Sequence, residues 1–437
     1  MHPESKLEEV SPIKRRLVVD VPVERVVTVL EASYQKVQQH AKLKGFREGK
    51  VPRPMVEQYF RREVEAETME ALVRESFSQA LERTQQRALG QPEIVVGPFA
   101  KDRPFTYTAT FEVRPKVEVK TYRKLALTRP LVVVNEAEVE AQLQRFREML
   151  TQLVPVDDGV GAAVGMVATI DYEGTADGKP FEGSSAKDFA VEFGANQLLA
   201  EFEQQLLGMR VSEERTAVFH YPDDYFNVSL AGSEAKFHVA LKELKRKIVP
   251  ELTDDFAKDL GPYENLDAVR AEVRTRLTEQ HQQEARGALA QQAVQQLIEH
   301  HPFEVPEIMV GWELSQMFHQ FERRLQHEGT TWQQVGMTPE QFVEQYAAPA
   351  RDRVRSQLIL EAIAEVEGLV VSDAELEARL KAISESVREE LDKVRRLYTE
   401  KNMFPALKNE LLQEKCLDFI IGEATIKDGQ IEDVAAK

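Results

Sequence analysis

The spacing of apolar residues divides the chain into stretches with different periods. In the first stretch a strand-like run, "RRLVVDVPV", precedes a predicted helix. Its apolar residues recur at three- and four-residue steps, at Val26, Leu30, Tyr34, Val37 and Ala41. The alternating segment "FTYTATFEVRP" closes this stretch and is typical of a half-buried strand. Residues 1–117 are therefore predicted to form helices packed on a small antiparallel sheet.

Residues 118–155 are predicted to be a linker that contains one helix. Asn135 is suited to cap this helix and Glu138 completes a capping box. An apolar stripe follows at three- and four-residue steps, formed by Val139, Leu143, Phe146 and Leu150. The segment "VPVDDGVGAAVG" then interrupts the helical pattern, so we place a domain boundary there.

The pattern alternates through residues 156–248, where "VATIDYEG", "TAVFHYP" and "KFHVALKEL" are predicted strands and only residues 198–207 are predicted to be helical. Residues 249–437 are predicted to be almost entirely helical, with Thr338 and Ser372 as caps. Pro349 is expected to end or kink one of these helices. The whole pattern predicts a multidomain α+β protein: an α+β domain, a β-rich domain and a helical C-terminal region.

Composition narrows the class of protein. Of the 437 residues 42% are hydrophobic and 30% are charged, which is typical of a folded globular chain. We expect a cytoplasmic protein with no membrane partner, because there is neither an apolar run long enough to cross a bilayer nor an apolar signal core. The single cysteine, Cys416, excludes an intramolecular disulfide and is predicted to be a small buried hydrophobe.

Charge is distributed unevenly along the chain. Residues 1–117 carry 20 Lys and Arg against 17 Asp and Glu, whereas the remaining 320 residues carry 36 against 57. Only the first stretch is therefore suited to contact a polyanion.

The segment "GFREGKVPRP" concentrates this positive charge in a loop between two predicted helices. Gly45 and Gly49 permit positive φ, Pro52 restricts the exit of the loop, and Phe46 is expected to be held outward. Two interpretations are open: a solvated basic hairpin, or a loop whose cations neutralise phosphates while Phe46 stacks beside them.

"GFREGKVP" resembles the G-F-R-x-G-K-x-P signature of the trigger factor family of bacterial ribosome-associated chaperones, and the order of domains is similar too. The resemblance implies that the loop docks on protein and rRNA beside the exit tunnel of the large ribosomal subunit. The family usually has Lys at the position of Glu48, for which Lys42, Lys44, Lys50 and Arg53 are expected to compensate. The implied ribosome-binding residues are Gly45, Phe46, Arg47, Glu48, Gly49, Lys50 and Pro52.

The β-rich stretch resembles FKBP-like peptidyl-prolyl isomerases, through "IDYEGTADGKPFEGSS", "FAVEFGANQLLAEFEQQLLGM", "YPDDYF" and "AKFHVAL". The family usually reads Ile-Pro-Gly-Phe where this chain has Leu199, Ala200, Glu201 and Phe202. The resemblance implies that an apolar pocket, with no nucleophile, metal or cofactor, catalyses the rotation of X-Pro bonds. The implied pocket residues are Tyr172, Phe181, Glu182, Phe189, Leu198, Leu199, Phe202, Tyr225 and Phe237.

Other functional classes have weaker support. No G-x-x-x-x-G-K-[ST] loop is present, so ATP use is not expected, and the histidines lack the spacing of metal ligands. Met, Phe, Leu and Trp cluster in the helical region, which fits either a bundle core or, as the resemblance implies, an open cradle for unfolded nascent polypeptides. A free cytosolic isomerase with recruiting or dimerising flanks is the alternative function, and homodimerisation away from the ribosome is left open. An RNA-binding protein is disfavoured because no RRM, KH or double-strand-RNA pattern accompanies the loop.

Overall fold

The structure, a computed structural model, describes residues 3–44, 46–47, 49–157, 159–181, 183–195, 197–222, 225, 227 and 230–429. The chain divides into two compact units. One contains the described parts of residues 1–130 and 286–437, and the other contains those of residues 131–285.

The amino-terminal region of the first unit is an antiparallel sheet covered by helices, as the pattern of apolar residues predicts. Its strands follow the order β1-β2-β4-β3. The alternation in the last strand buries Phe105, Tyr107, Ala109 and Phe111 against the first and third helices. The elements are β1 (Glu4–Ser11), β2 (Lys14–Val21), α1 (Val23–His40), α2 (Arg53–Tyr59), α3 (Arg61–Thr84), β3 (Leu89–Val96), β4 (Phe105–Glu112) and, further along the chain, β5 (Ala126–Pro130).

The second unit is built around an antiparallel sheet in which β6, β10, β7 and β8 are neighbours and β9 also pairs with β10. Asn135 caps the helix predicted in the linker, because its Oδ1 accepts a hydrogen bond of 2.9 Å from the N–H of Glu138. The elements are α4 (Glu136–Met149), β6 (Gln152–Pro155), β7 (Met166–Ala176), β8 (Ser185–Glu192), α5 (Ala200–Leu206), β9 (Glu214–His220), β10 (Glu234–Ile248), α6 (Asp254–Leu260) and the first part of α7 (Leu266–His300).

The rest of the first unit is almost entirely helical, as predicted. Thr338 and Ser372 both form capping boxes with the residue three positions later. Of the two outcomes expected at Pro349, an end of the helix is wrong, because α9 continues past it to Val366. Burial of Val354 and its neighbours on the following turns outweighs the hydrogen bond that the proline removes. A kink at Pro349 stays a prediction. The elements are α8 (Glu307–Glu328), α9 (Pro339–Val366), α10 (Asp373–Val387), α11 (Leu391–Glu400), α12 (Phe404–Gly422) and β11 (Thr425–Gly429).

Two features of this region refine the sequence interpretation. β11 pairs in parallel with β5, so the last element that the structure describes is a strand that the pattern does not predict. The clustered apolar residues divide between core and surface. Met309, Met317 and Cys416 are buried, whereas Trp312 is 50% exposed and Val370 is 71% exposed.

Candidate functional sites

An aromatic cluster fills one side of the sheet in the second unit. Phe237 of β10 lies at its centre, with ring centroids 5.1 Å from Phe202, 5.8 Å from Phe219 and 5.8 Å from Tyr172. Period-two alternation on β10 and β9 brings these rings to one face, while α5 supplies Phe202 from above the sheet. The members are Tyr172, Phe181, Phe189, Phe202, Phe219, Tyr221, Tyr225 and Phe237.

Gly174 makes room for the central ring. It lies opposite Phe237 in the pairing of β7 with β10, and a Cβ at this position would lie 2.4 Å from Cε1 of that ring. On the other side, Phe219 stacks on Phe237 with an interplanar angle of 14°. The ring of Phe237 is therefore held between a glycine backbone and a second ring, which fixes the floor of the cluster.

Hydrogen bonds fix the short helix α5 over the sheet. The side chain of Gln205 donates a hydrogen bond of 2.7 Å to the carbonyl of Val218 on β9. It also accepts one of 2.9 Å from the N–H of Val218, so it pairs with β9 as a neighbouring strand would. Arg215 donates to the carbonyls of Gln205 and Leu207 at the C-terminal end of the helix. At the other end, Glu203 accepts from the N–H of Gly194. These contacts determine where Phe202 enters the cluster.

The structure brings together all the predicted pocket residues that it describes. Phe202 and Phe237 are buried, and Phe189 is 36% exposed at the edge. The half-buried residues Tyr172, Phe181, Leu198, Leu199 and Tyr225 pack against the same core. Glu182 lies outside the described residues.

Phe219 and Tyr221 belong to the cluster although the sequence interpretation does not include them. Tyr221 lies 4.6 Å from Tyr225 between ring centroids and 6.4 Å from Phe181. Both missed residues stand in the alternating segment "TAVFHYP", two positions apart, so alternation alone places them on the face that carries Phe237.

The chemistry that this cluster offers is that of a weakly polar, aromatic surface. Burial raises the pKa of Tyr221, so its phenol stays protonated at neutral pH and can donate a hydrogen bond. The half-buried rings and leucines border the buried ones, so an apolar group entering from solvent would exchange water for aromatic surface. Within the described residues, no group of three or more His, Cys, Asp or Glu is placed to hold a metal ion.

The second candidate site is the loop between α1 and α2. Phe46 is 41% exposed, and turn hydrogen bonds run from its N–H to Leu43 and from the N–H of Lys50 to Arg47. Gly49 has a φ of 76°, as the sequence suggests. Gly45 and Glu48 lie outside the described residues.

The loop is anchored at its C-terminal end. Val51 is fully buried, and its carbonyl accepts a hydrogen bond of 2.7 Å from Nε2 of Gln38 on α1. Pro52 then provides the extended residue before α2. The loop therefore leads from an exposed Phe46 to a buried, hydrogen-bonded Val51 at the start of α2.

The cations of the loop region fall into two groups, which corrects one expectation. Arg53 is not available to compensate for Glu48, because it forms ion pairs with Glu31 and Glu57 and lies 3.5 Å from the centroid of the Tyr34 ring. Lys36 and Arg61 are also paired, with Glu67 and Glu65. By contrast Lys44, Arg47 and Lys50 are exposed and form no ion pair with any residue that the structure describes.

No helix among the described residues is both long and apolar enough to cross a membrane. The exposed cations close to Phe46 stand on a chain whose net charge is -18.

Comparison with known proteins gives matches to three family models along the chain. The family model described as "Bacterial trigger factor protein (TF)" matches residues 4–146, and "Bacterial trigger factor protein (TF) C-terminus" matches residues 265–422. Between them, "FKBP-type peptidyl-prolyl cis-trans isomerase" matches residues 160–242.

Curated relatives match over almost their whole length. The trigger factor of Citrifermentans bemidjiense is 34% identical over 424 residues, which cover 97% of this chain and 98% of the relative. The trigger factor of Geobacter sulfurreducens is 33% identical over 425 residues, which cover 97% of this chain and 99% of the relative. A solved structure titled "Promiscuous Substrate Recognition in Folding and Assembly Activities of the Trigger Factor Chaperone" shares the fold, with a TM-score of 0.52 at 18% identity and 96% and 99% of the two chains covered.

Proposed function

This chain belongs to the trigger factor family, and on that premise we propose that it is an ATP-independent chaperone that binds nascent chains at the ribosomal tunnel exit. Family membership makes it a trigger factor chaperone with an N-terminal ribosome-binding domain and an FKBP-type peptidyl-prolyl isomerase domain. The finer assignments that follow, including the contact residues, are part of the proposal. So are the domain boundaries 1–117, 118–155, 156–248 and 249–437 and a cytoplasmic location.

The observation that carries the ribosome-binding proposal is an exposed Phe46 among unpaired cations. Lys44, Arg47 and Lys50 can face rRNA phosphates without first breaking an ion pair, so their charge is available for counterion release. Phe46, in a loop anchored at Val51, adds an apolar contact to protein or a stacking contact to a base at little entropic cost. We propose that this loop docks beside the exit tunnel of the large subunit.

The aromatic cluster supports the proposed isomerase site. Rotating an X-Pro amide costs roughly 18 to 20 kcal/mol, mainly in lost resonance. Water stabilises the planar, polar form of the amide, so a site that replaces water with aromatic surface favours the twisted form. Tyr172, Phe181 and Tyr225 at the rim would enclose the proline, and Phe202 and Phe237 would form the floor. Uncatalysed isomerisation takes tens to hundreds of seconds, so even modest acceleration would help folding.

Exposed apolar residues in the helical region are the proposed contacts for unfolded clients. Trp312, Val366 and Val370 are each at least half exposed. Scattered apolar contacts of this kind suit weak binding of many sequences. Homodimerisation away from the ribosome would cover part of this apolar surface, and sedimentation equilibrium of the free protein over a range of concentrations tests it.

Ribosome co-sedimentation tests the loop. Replacing Phe46, Arg47 and Glu48 together with Ala in the full chain is expected to abolish binding at physiological salt. In the single variant Arg47→Ala, the slope of log K against log salt concentration should decrease in magnitude by about one. The matched control replaces Lys101, Asp102 and Arg103, an exposed turn of the same region, and should bind normally. Unchanged binding of the loop variant would remove the loop from the interface.

The alternative, a free cytosolic isomerase with recruiting or dimerising flanks, gives different results. It predicts no salt-dependent ribosome binding, and it predicts that suppression of aggregation is lost together with proline turnover. The proposed chaperone should still suppress aggregation of an unfolded client when Phe202→Ala has lowered isomerase activity. Loss of both activities in that variant, with the fold intact by circular dichroism, would favour the alternative.

A further inference from the structure

Two β-bulges lie side by side behind the edge of the aromatic cluster. In the pairing of β7 with β8 the register shifts at Asp171, so that two residues of β8, the second of them Asp188, face this one residue. In the pairing of β7 with β10 the register shifts at Lys242, which has no opposite residue on β7. Bulges bend a strand and re-aim its side chains, and they are frequent beside active sites.

The three bulge residues form an ion triad, which we define as Asp171, Asp188 and Lys242. Nζ of Lys242 lies 3.4 Å from Oδ2 of Asp171 and also pairs with Oδ1 of Asp188. The other oxygen of Asp171 accepts a hydrogen bond of 2.7 Å from the N–H of Asp188. This hydrogen bond, followed by the charge of Lys242, holds the pKa of Asp171 below its usual value, and the bond to Asp188 raises the pKa of Lys242. Asp171 and Lys242 are therefore charged at neutral pH.

Each carboxylate of the triad directly precedes a ring of the candidate pocket. Asp171 precedes Tyr172 and Asp188 precedes Phe189, and successive side chains of a strand point to opposite faces. The two rings meet edge to face, with centroids 5.6 Å apart and an interplanar angle of 90°. We infer that the ion triad positions Tyr172 and Phe189 for prolyl isomerisation, an inference that rests on the proposed function.

Phe189 depends on its backbone for its position more than the buried rings depend on theirs. Phe189 is 36% exposed, so few neighbours restrain it, whereas Phe237 is 5% exposed and surrounded by rings. The residue before it, Asp188, has a φ of 53°, a left-handed conformation that non-glycine residues seldom adopt. The hydrogen bond to Asp171 and the ion pair with Lys242 hold this turn of the backbone in place. Without the lysine, two carboxylates would face each other and separate the strands that carry the rings.

The test is Lys242→Met in the full chain labelled with 3-fluorotyrosine. Cis/trans isomerisation of a prolyl peptide gives kcat and KM, and the fluorine resonance of Tyr172, assigned through Tyr172→Phe, reports the position of the ring. We expect kcat/KM to fall at least about fivefold, since a misplacement of about 1 Å can cost up to about a hundredfold. The Tyr172 resonance should shift. Lys242→Arg keeps the positive charge. It should restore most of kcat/KM and return the Tyr172 resonance close to its original position.

Lys247→Met is the matched control. Lys247 lies on the same strand and pairs with Glu192 of β8, and its side chain is 33% exposed against 42% for Lys242, but it is not at a bulge. This control should leave kcat/KM and the Tyr172 resonance unchanged. The inference is overturned if Lys242→Met behaves like the control in both measurements, or if Lys242→Arg restores neither. If the unmodified chain does not isomerise the peptide, the proposed function fails, and the resonance alone still decides whether the triad positions Tyr172.

Discussion

Replacing Gly174 with Ala would test whether the aromatic cluster depends on the position of Phe237. Gly174 is on a strand and its φ is not in the left-handed region, so the backbone itself accepts alanine. The added Cβ would lie 2.4, 2.5 and 2.8 Å from Cε1, Cδ1 and Cγ of the Phe237 ring. Carbon atoms in contact normally lie about 3.5 to 4.0 Å apart, so the ring would have to retreat by about 1 Å.

The cluster has little room for that movement. Phe237 is 5% exposed, and the rings of Phe202 and Phe219 lie 5.1 and 5.8 Å away between centroids. Overpacking of this kind typically costs about 1 to 3 kcal/mol. We expect the free energy of unfolding to fall by that amount. We also expect kcat/KM for a prolyl peptide to fall by roughly tenfold or more, because the displaced ring forms the floor of the candidate pocket.

Urea unfolding followed by circular dichroism and a prolyl-peptide assay measure the two effects. Gly287→Ala is the control of opposite sign, because this helical glycine has no atom within 4 Å of an added Cβ and should gain about 0.5 to 1 kcal/mol. Phe237→Leu combined with Gly174→Ala should recover stability, giving a coupling energy in a double-mutant cycle. If Gly174→Ala changes neither unfolding nor isomerisation, the reasoning from ring position is refuted.

Three further predictions follow from single sites. Ala200 is the first residue of α5 and follows an extended Leu199 with a ψ of 136°, so Ala200→Pro should raise the unfolding free energy by about 0.4 to 1 kcal/mol in a thermal melt. Hydrogen bonds from Lys415 and Ser372 lower the pKa of Glu375 to about 2, so its stabilisation is present above about pH 5 and is lost as the pH falls towards 2. The difference in Tm between the unmodified chain and Glu375→Gln should therefore shrink over that range, and a constant difference would contradict it. Burial raises the pKa of Cys416 to about 12, so its thiol should react with a disulfide reagent at pH 8 only after unfolding.

Features set by neighbouring residues could be predicted from the sequence. The caps at Asn135, Thr338 and Ser372 each depend on a partner three residues away, and all three caps form. The capping box predicted at Asn135 differs in detail, because Oε1 of Glu138 accepts a hydrogen bond from Nδ2 of Asn135. The alternation that buries Phe105 and Tyr107 is equally local. Here the physical cause lies within one turn of helix or one strand, so the pattern contains it.

Features set by distant residues could not be predicted in this way. Arg53 looked like one more cation of the loop, but its partners include Glu31 and the Tyr34 ring on α1, which only the folded chain brings close. The pairing of β11 with β5 joins segments about three hundred positions apart, and neither segment has a strong alternation of its own. Neither the number of charges in a segment nor its local periodicity indicates which distant residues it will contact.

The strand β10 shows how a correct local prediction can still misplace side chains. Strict alternation in "KFHVALKEL" would continue the buried series of Val239 and Leu241 at the next odd position, yet Glu243 is exposed and Leu244 is buried. The bulge at Lys242 accounts for the change, because one extra residue exchanges the inner and outer faces of everything that follows. The cost of burying Glu243 instead of Leu244 would oppose any alignment without the bulge. The apolar pattern therefore requires the bulge, and the bulge brings the side chain of Lys242 into ion pairs with Asp171 and Asp188. If the triad does position Tyr172, the same one-residue insertion serves both the core and the candidate pocket.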